Sequence, residues 1–267
     1  MATSTSNEST VRAKREGAVL TLTLDHPSRL NALDWPLLES FLPQLRAAAR
    51  DRTVRVVVVT GAGKAFCAGG DLKACMEKSA ANPGAAFYEL ASVFHLCVEE
   101  IRWMEKPVVA AINGVAAGGG FSLALACDLR LMAKSASLKQ AYTSAGLAYD
   151  GGSTFTLPRL VGMGKALEMA MLDEPVGAEE ALRLGLVTRV VPDGELAGAA
   201  AALAEKLAGK AVGAIGRVKR LLNGSFDHGL EAQLELERQA ISDASDTPEG
   251  REGVRAFVEK RPAKFQG

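Results

Sequence analysis

Apolar residues recur along this chain in two alternating rhythms. Residues 19–24 alternate apolar side chains with threonine, the period-two pattern of a half-buried strand. Residues 54–60 and 108–112 are nearly continuous runs of β-branched or small apolar residues, as expected of strands covered on both faces. Residues 129–133 form a shorter run of the same kind. Between these runs the spacing turns helical, over 35–50, 85–104 and 120–126. Repeated strand, turn and helix predict an α/β class. After Ala178 the strands give way to Ala-rich, amphipathic spacing over 178–184, 196–207, 214–222 and 229–242, with a last short helix over 251–259. No low-complexity linker divides the chain. The expected organisation is a disordered tail over 1–10, an α/β core over 11–195 and a helical region over 196–267 that folds onto a neighbouring element or subunit.

Composition narrows the class of function. At 267 residues and 48% hydrophobic, the chain can bury a sizeable core. Lys plus Arg and Asp plus Glu balance at 31 each, which argues against general nucleic-acid binding. The four cysteines, Cys67, Cys75, Cys97 and Cys127, show no CxxC spacing and read as small core residues of a reduced protein. The Ser/Thr-rich start lacks the apolar core of a signal peptide, and no apolar run reaches bilayer length. The expectation is a cytoplasmic protein with no membrane or nucleic-acid partner.

Two glycine turns carry the candidate chemistry. Ala110 to Gly120 runs from an apolar strand through a turn into a helix start, ending in three glycines. Ala65-Phe66-Cys67-Ala68-Gly69-Gly70-Asp71 follows another apolar strand. Uncovered N–H groups from two such turns could together hold one oxyanion. The alternative is that both are tight turns packed on a sheet. Nucleotide binding finds no support: the spacing around Gly114 and Gly118 is wrong for G-x-G-x-x-G, Phe66 stands where the third glycine of the other candidate belongs, and no GxxxxGK[ST] occurs. There is also no GxSxG elbow and no HExxH helix, so a serine hydrolase or a zinc enzyme has no visible basis. His26 and His228 lie in turns without a ligand set.

The stretch "AFCAGGDL", followed by "KPVVAAINGVAAGGG", resembles the crotonase superfamily, the enoyl-CoA hydratases and isomerases. The resemblance continues through "ACDLRLMAKSASL", "LPRLVGMGKALEMAML", "GAEEALRLGLVTRVVP" and "FVEKRPAKF", and so covers residues 12–267. It implies a spiral of ββα repeats with a helical C-terminal trimerisation region, in a homotrimer or homohexamer. It implies an acyl-CoA thioester as substrate, with coenzyme A brought by the substrate and neither a separate cofactor nor a metal. The thioester oxygen would be held by the backbone N–H groups of Gly70 and Gly119. Arg29, Ala68, Asp71, Leu72 and Lys73 fall where the family contacts coenzyme A or lines its entrance, and Phe257 and Lys260 where the last helix approaches it.

Within that resemblance, side chains around the turns decide the reaction. The family's hydratases use two glutamates, and this chain has Ser122 and Tyr142 in their places. Hydroxyls of Ser and Tyr titrate far above neutral pH, so neither replaces a carboxylate base and classical hydration is not expected. Asp150 stands where family isomerases and dehalogenases carry an aspartate. Read locally, the same residue before Gly151 is an Asx-turn or a helix cap. His95 sits at the edge of the helical stripe Phe87, Leu90, Phe94, Cys97 and Ile101, either as a structural residue or as the water-activating His of the dehalogenases. Those dehalogenases hold a Trp where Tyr142 stands here. The reading is an enoyl-CoA isomerase with Asp150 moving the proton and Tyr142 and His95 orienting it or the substrate. The segments "DGGSTFTLPRLVG" and "LLNGSFDHGLEAQLELERQA" resemble isomerases of aromatic-acid breakdown. The rivals are a 4-chlorobenzoyl-CoA-type dehalogenase or acyl-CoA hydrolase with Asp150 as nucleophile, and a non-catalytic CoA- or RNA-binding member. The acyl pocket is expected from a loop over 76–87 and from residues 142–153.

Overall fold

The computed structural model describes residues 9–265. The expected tail lies outside them over residues 1–8, and Thr10 already belongs to a strand. That strand, β1 (Thr10–Glu16), pairs antiparallel with β2 (Val19–Asp25). In β2 the alternation predicted from sequence is realised: Leu22 and Leu24 are fully buried and the threonines between are half-covered. Helix α1 (Trp35–Arg50) starts where Asp34 accepts the Leu37 N–H at 2.9 Å, satisfying a donor the helix cannot pair itself.

One plan then repeats: a buried strand, a three-residue strand, then helix. β3 (Val56–Gly61) leads to β4 (Ala65–Cys67), α2 (Leu72–Lys78) and α3 (Pro83–Trp103). β5 (Val108–Ile112) leads to β6 (Val115–Ala117) and α4 (Gly119–Ala126). β7 (Leu129–Ala133) leads to β8 (Ser137–Lys139), α5 (Ser153–Val161) and α6 (Met163–Leu172). β9 (Val176–Gly177), α7 (Ala178–Arg183) and β10 (Arg189–Val191) follow, and then α8 (Leu196–Ala208), α9 (Val212–Gly224), α10 (Leu230–Asp246) and α11 (Pro248–Val258).

Longer strands gather in a six-stranded sheet of order β1-β2-β3-β5-β7-β10, and short ones in a four-stranded sheet of order β4-β6-β8-β9. The pairings β2–β3–β5–β7–β10 and β4–β6–β8 are all parallel. The chain therefore winds as a spiral of ββα units, the fold the resemblance implied. For the site, one pairing matters most. β4 lies beside β6, with Ala65 opposite Val115 and Cys67 opposite Ala116, so the turns that leave these strands emerge side by side.

Two sequence expectations change. The stretch 76–87 is not a loop: α2 runs to Lys78 and α3 begins at Pro83, leaving only residues 79–82 between them. Helices α5 and α6 were not anticipated, because Gly151, Gly152, Pro158, Gly162 and Gly164 interrupt the local pattern with breakers that tertiary packing overrides. The C-terminal region is helical as expected, and α9 is tied to the core by a buried charge. Lys219 Nζ donates to the carbonyls of Ile101 at 2.7 Å and Lys106 at 3.2 Å, and to Asp128 Oδ2 at 2.8 Å.

Candidate active site

Helix α4 starts one residue earlier than the sequence suggested, at Gly119, and all eight of its residues are buried. Its first N–H groups have no intrahelical acceptor. Gly120 is required by contact: a methyl there would sit 2.0 Å from the Cys67 carbonyl oxygen, so the helix start is pressed against the end of β4. On the other side, Leu33 N–H donates to the Gly69 carbonyl at 2.7 Å and Asp71 N–H to the Leu33 carbonyl at 2.9 Å. These two bonds hold the Gly69–Asp71 segment as a parallel bridge to Leu33. The Gly70 N–H between them takes no acceptor among the described residues. The two turns are in contact, since a methyl at Gly119 would lie 3.7 Å from the Gly70 nitrogen.

Both glycines line one cavity of about 390 Å³. Its further walls include Leu72 and Ala68 near one turn, Phe87 and Phe94 from α3, and Tyr142 and Asp150 from the segment before α5. Of the stretches expected to build the pocket, 76–87 supplies Gly84 and Phe87 and 142–153 supplies Tyr142 and Asp150 among others, while Tyr88, Leu90, Ala91 and Phe94 of α3 lie beyond the expected stretch.

Asp150 is held through its backbone. Its carbonyl oxygen accepts from Ser122 Oγ at 2.7 Å, Ser153 Oγ at 3.1 Å, Tyr142 Oη at 3.4 Å and Ser153 N–H at 3.5 Å. Ser122 and Tyr142 also meet each other at 3.3 Å. The next residue, Gly151, has φ +64°, and a methyl there would fall 2.3 Å from Phe94 Cε1 and 2.8 Å from Ser122 Cβ. No L-residue fits that backbone and that space together. The carboxylate itself meets His95: Nε2 of the ring contacts Oδ1. His95 is half exposed and Asp150 about one-third, at 51% and 33% of the side chain.

Burial pushes the Tyr142 phenol well above its ordinary value, with nearby Asp150 adding to the rise and a Ser122 hydrogen bond opposing it. Tyr142 therefore stays a neutral hydrogen-bonding group at physiological pH. Burial likewise pushes the Cys67 and Cys97 thiols up to about 12, so neither offers a thiolate nucleophile.

The sequence profile described as enoyl-CoA hydratase/isomerase matches residues 14–267. The chain belongs to the enoyl-CoA hydratase/isomerase family. It is 36% identical to the 1,2-epoxyphenylacetyl-CoA isomerase of Escherichia coli K12, over 94% of this chain and 96% of that one. It is 38% identical to a probable enoyl-CoA hydratase of Rhodobacter capsulatus, over 97% of this chain and 98% of the relative. The crystal structure of an enoyl-CoA hydratase from Polaromonas superposes with a TM-score of 0.91 at 34% identity, covering 96% of this chain and all of that one (100%).

Against this enoyl-CoA hydratase/isomerase background the structure sorts the residues singled out in the sequence. Gly70, Gly119, Ala68, Leu72, Tyr142 and Asp150 meet at the cavity, and His95 reaches it through Asp150. Arg29, Asp71 and Lys73 are not among the residues lining it: Arg29 forms a salt bridge with Asp71, and Lys73 is exposed and pairs with Glu77 at 3.6 Å. Phe257, 86% exposed at the end of α11, and Lys260 beyond it are not among the residues lining this cavity. Ser153 and Gly151 were not picked out. A serine opening a helix reads as a capping residue, and nothing in its spacing shows that it bonds the carbonyl of the carboxylate residue three positions back.

Proposed function

We propose that this member of the family is an enoyl-CoA isomerase. The Asp150 carboxylate takes a proton from a carbon of a 3-enoyl thioester, the resulting dienolate oxygen rests on the N–H groups of Gly70 and Gly119, and the proton returns at another carbon. A buried donor aimed at a developing oxyanion typically contributes roughly 3–4 kcal/mol, and here both donors are backbone groups that no side-chain substitution deletes. The observation that carries the reading is the anchoring of Asp150: Ser122 and Tyr142, which stand where the hydratases of the resemblance have glutamates, bind the Asp150 carbonyl. Coenzyme A enters as part of the substrate, and the site as read calls on no further cofactor. Aromatic walls, with Phe87, Phe94 and the tilted Tyr142–Tyr149 pair at 5.3 Å between centroids, favour an acyl group bearing a ring or a ring-derived unsaturation, in keeping with the name of the Escherichia coli relative.

The test is a panel of 3-enoyl-CoA and aryl-acyl-CoA thioesters followed by mass spectrometry, with crotonyl-CoA as the hydration control. Double-bond migration without net hydration is expected, and Asp150→Asn should remove turnover while thioester binding persists. Efficient hydration of crotonyl-CoA by the wild type, or full activity in Asp150→Asn, would overturn the assignment. The His95–Asp150 contact favours one other reading, a dehalogenase or hydrolase in which Asp150 is the nucleophile and His95 activates water. Chloride release from 4-chlorobenzoyl-CoA without migration would select it.

We further propose assembly as a homotrimer or a dimer of trimers through the C-terminal helices. The 17-residue α10 has no buried residue, yet Leu230, Leu234 and Ile241 share one face and are 69%, 54% and 72% exposed. An apolar stripe of that length is ordinarily covered by protein. Sedimentation of the wild type as a monomer would refute this.

A further inference from the structure

We propose that His95 relays protons between the Asp150 carboxylate and bulk water, so that the hydrogen placed on the product is drawn from solvent. The inference rests on the isomerase reading of Asp150. His95 is the side chain among the described residues that touches this carboxylate, and it does so from α3, 55 positions away in sequence. Its ring is more exposed than the carboxylate it touches, 51% against 33%, so it stands on the solvent side of the pair. No other protein group holds the His95 ring by a hydrogen bond among the described residues, so the half-exposed side chain is free to leave the carboxylate for water and return. Asp150 does not need the contact to stay in place, because its backbone is already anchored by Ser122 and Ser153 and by the Gly151 turn. A pair this exposed contributes little to stability, in the range of roughly 0–1 kcal/mol. What the contact does supply is a path.

The step balances without any added reactant. A substrate C–H bond breaks, its proton goes to Asp150 and its electron pair to the dienolate. The protonated carboxyl then passes its proton to Nε2 of His95, giving aspartate and imidazolium, and the half-exposed ring swings off the carboxylate and releases that Nε2 proton to water. Nε2 takes a different proton from water, swings back and gives it to Asp150, and Asp150 delivers it to the other carbon as the dienolate collapses. Direct return from Asp150, without the relay, competes and transfers the original hydrogen.

The experiment is single-turnover isomerisation of a 3-enoyl-CoA in D2O, reading deuterium per molecule of product by mass spectrometry. Exchange of the α-hydrogens of phenylacetyl-CoA is read in parallel. Wild-type product should be largely deuterated. In His95→Gln, and in His95→Phe as a second variant, deuterium per product should fall by about tenfold or more, since a positioned acid–base group typically contributes about a hundredfold or more in rate. A structural role for His95 would slow turnover without changing that ratio. An unchanged ratio overturns the relay while the isomerase reading stands. Complete loss of turnover in both variants, with an unchanged circular dichroism spectrum, also overturns it, since direct return by Asp150 needs no histidine. A wild type that moves no double bond but shows His95-dependent α-hydrogen exchange sinks the isomerase and keeps the relay. One that does neither sinks both.

Discussion

Removing the Ser122 hydroxyl separates the anchoring of Asp150 from its chemistry. Ser122 is 1% exposed and its Oγ makes the shortest of the bonds to the Asp150 carbonyl, 2.7 Å. In Ser122→Ala that carbonyl is not orphaned: Ser153 Oγ remains at 3.1 Å and Tyr142 Oη at 3.4 Å. The stability cost should therefore stay near the net value of one hydrogen bond, about 1 kcal/mol, and below the ~3 kcal/mol of a stranded buried polar group. Tyr142→Phe deletes a longer, weaker bond and keeps the ring packing, so it should cost less than Ser122→Ala.

Activity should respond more steeply than stability. Misplacing a reacting group by about 1 Å costs on the order of a hundredfold in rate. Freed of its shortest tether, the Asp150 backbone can shift by a fraction of that, and kcat for Ser122→Ala should fall by about tenfold or more with KM little changed. Urea denaturation measures the first quantity and steady-state isomerisation the second. A variant that loses about 1 kcal/mol and keeps full kcat would show that the clamp is only structural. A Tyr142→Phe variant costing more than Ser122→Ala on both scales would show that the bond lengths rank the anchors wrongly.

Gly151→Ala should be more severe: about 1–2 kcal/mol for forcing an L-residue into the left-handed region, and a further ~1–3 kcal/mol for the clash with Phe94 and Ser122. Thermal unfolding measures it, and a loss under about 1 kcal/mol would mean the turn is not built as described. For Asp71, burial works to raise the carboxyl, but the Ala74 N–H and the Arg29 guanidinium outweigh it and hold the group below its ordinary value. The stability from this depressed carboxyl is complete above the ordinary carboxylate range and is lost as pH falls through the lowered value; a difference in urea midpoint between wild type and Arg29→Met that stays constant from neutral pH into acid would contradict it. For Lys219 and Asp128, burial pushes the carboxyl up and the amine down, each only partly offset by the partner. Lys219→Met should then cost about 3–5 kcal/mol, because it strands a buried carboxylate, and adding Asp128→Asn should recover part of it. Equal stability of the single and double variants would rule that out.

The backbone part of this site is written in local sequence pattern, whereas its side chains, Asp150, Tyr142, Ser122 and His95, stood out only through the family resemblance. The placement of the glycines at 69, 70 and 118–120 after two apolar runs marks two strand ends, and at Gly120 the Cys67 carbonyl leaves no room for a Cβ while Gly69 and Gly118 have positive φ. That β4 and β6 are neighbours, which brings the turns together, follows from the repeated ββα plan and not from either motif alone. Long buried strands such as β3 and β5 were legible because burial on both faces writes an unbroken apolar run. The three-residue strands β4, β6 and β8 were not, being too short to carry a period. Pairing of His95 with Asp150 was expected only through the family resemblance, and no local pattern carries it. The helical stripe of α3 fixes which face is buried, with Ala86, Leu90, Phe94, Cys97 and Ile101 inward. His95, one residue past Phe94, projects off that face, and what it meets is set by where the Gly151 turn delivers Asp150.

Ser122 and Tyr142 illustrate how a reactive position can change its function while keeping its place. Both stand where the hydratases of the resemblance carry glutamates, and in this chain both hydroxyls donate to one carbonyl oxygen. Their high intrinsic pKa, which disqualifies them as bases, is what suits them to that task. A group that stays protonated and neutral across the working pH range gives a tether whose strength does not titrate. Tyr142 carries this further, since burial raises its phenol still higher. Under the proposed isomerase reading the chemistry rests on a single carboxylate, fixed in place through the main chain, with one oxygen meeting His95 and the other left for a substrate proton. An isomerase needs that economy of groups: one base that can both take and return a proton, with no second carboxylate nearby to activate water against the enoyl thioester.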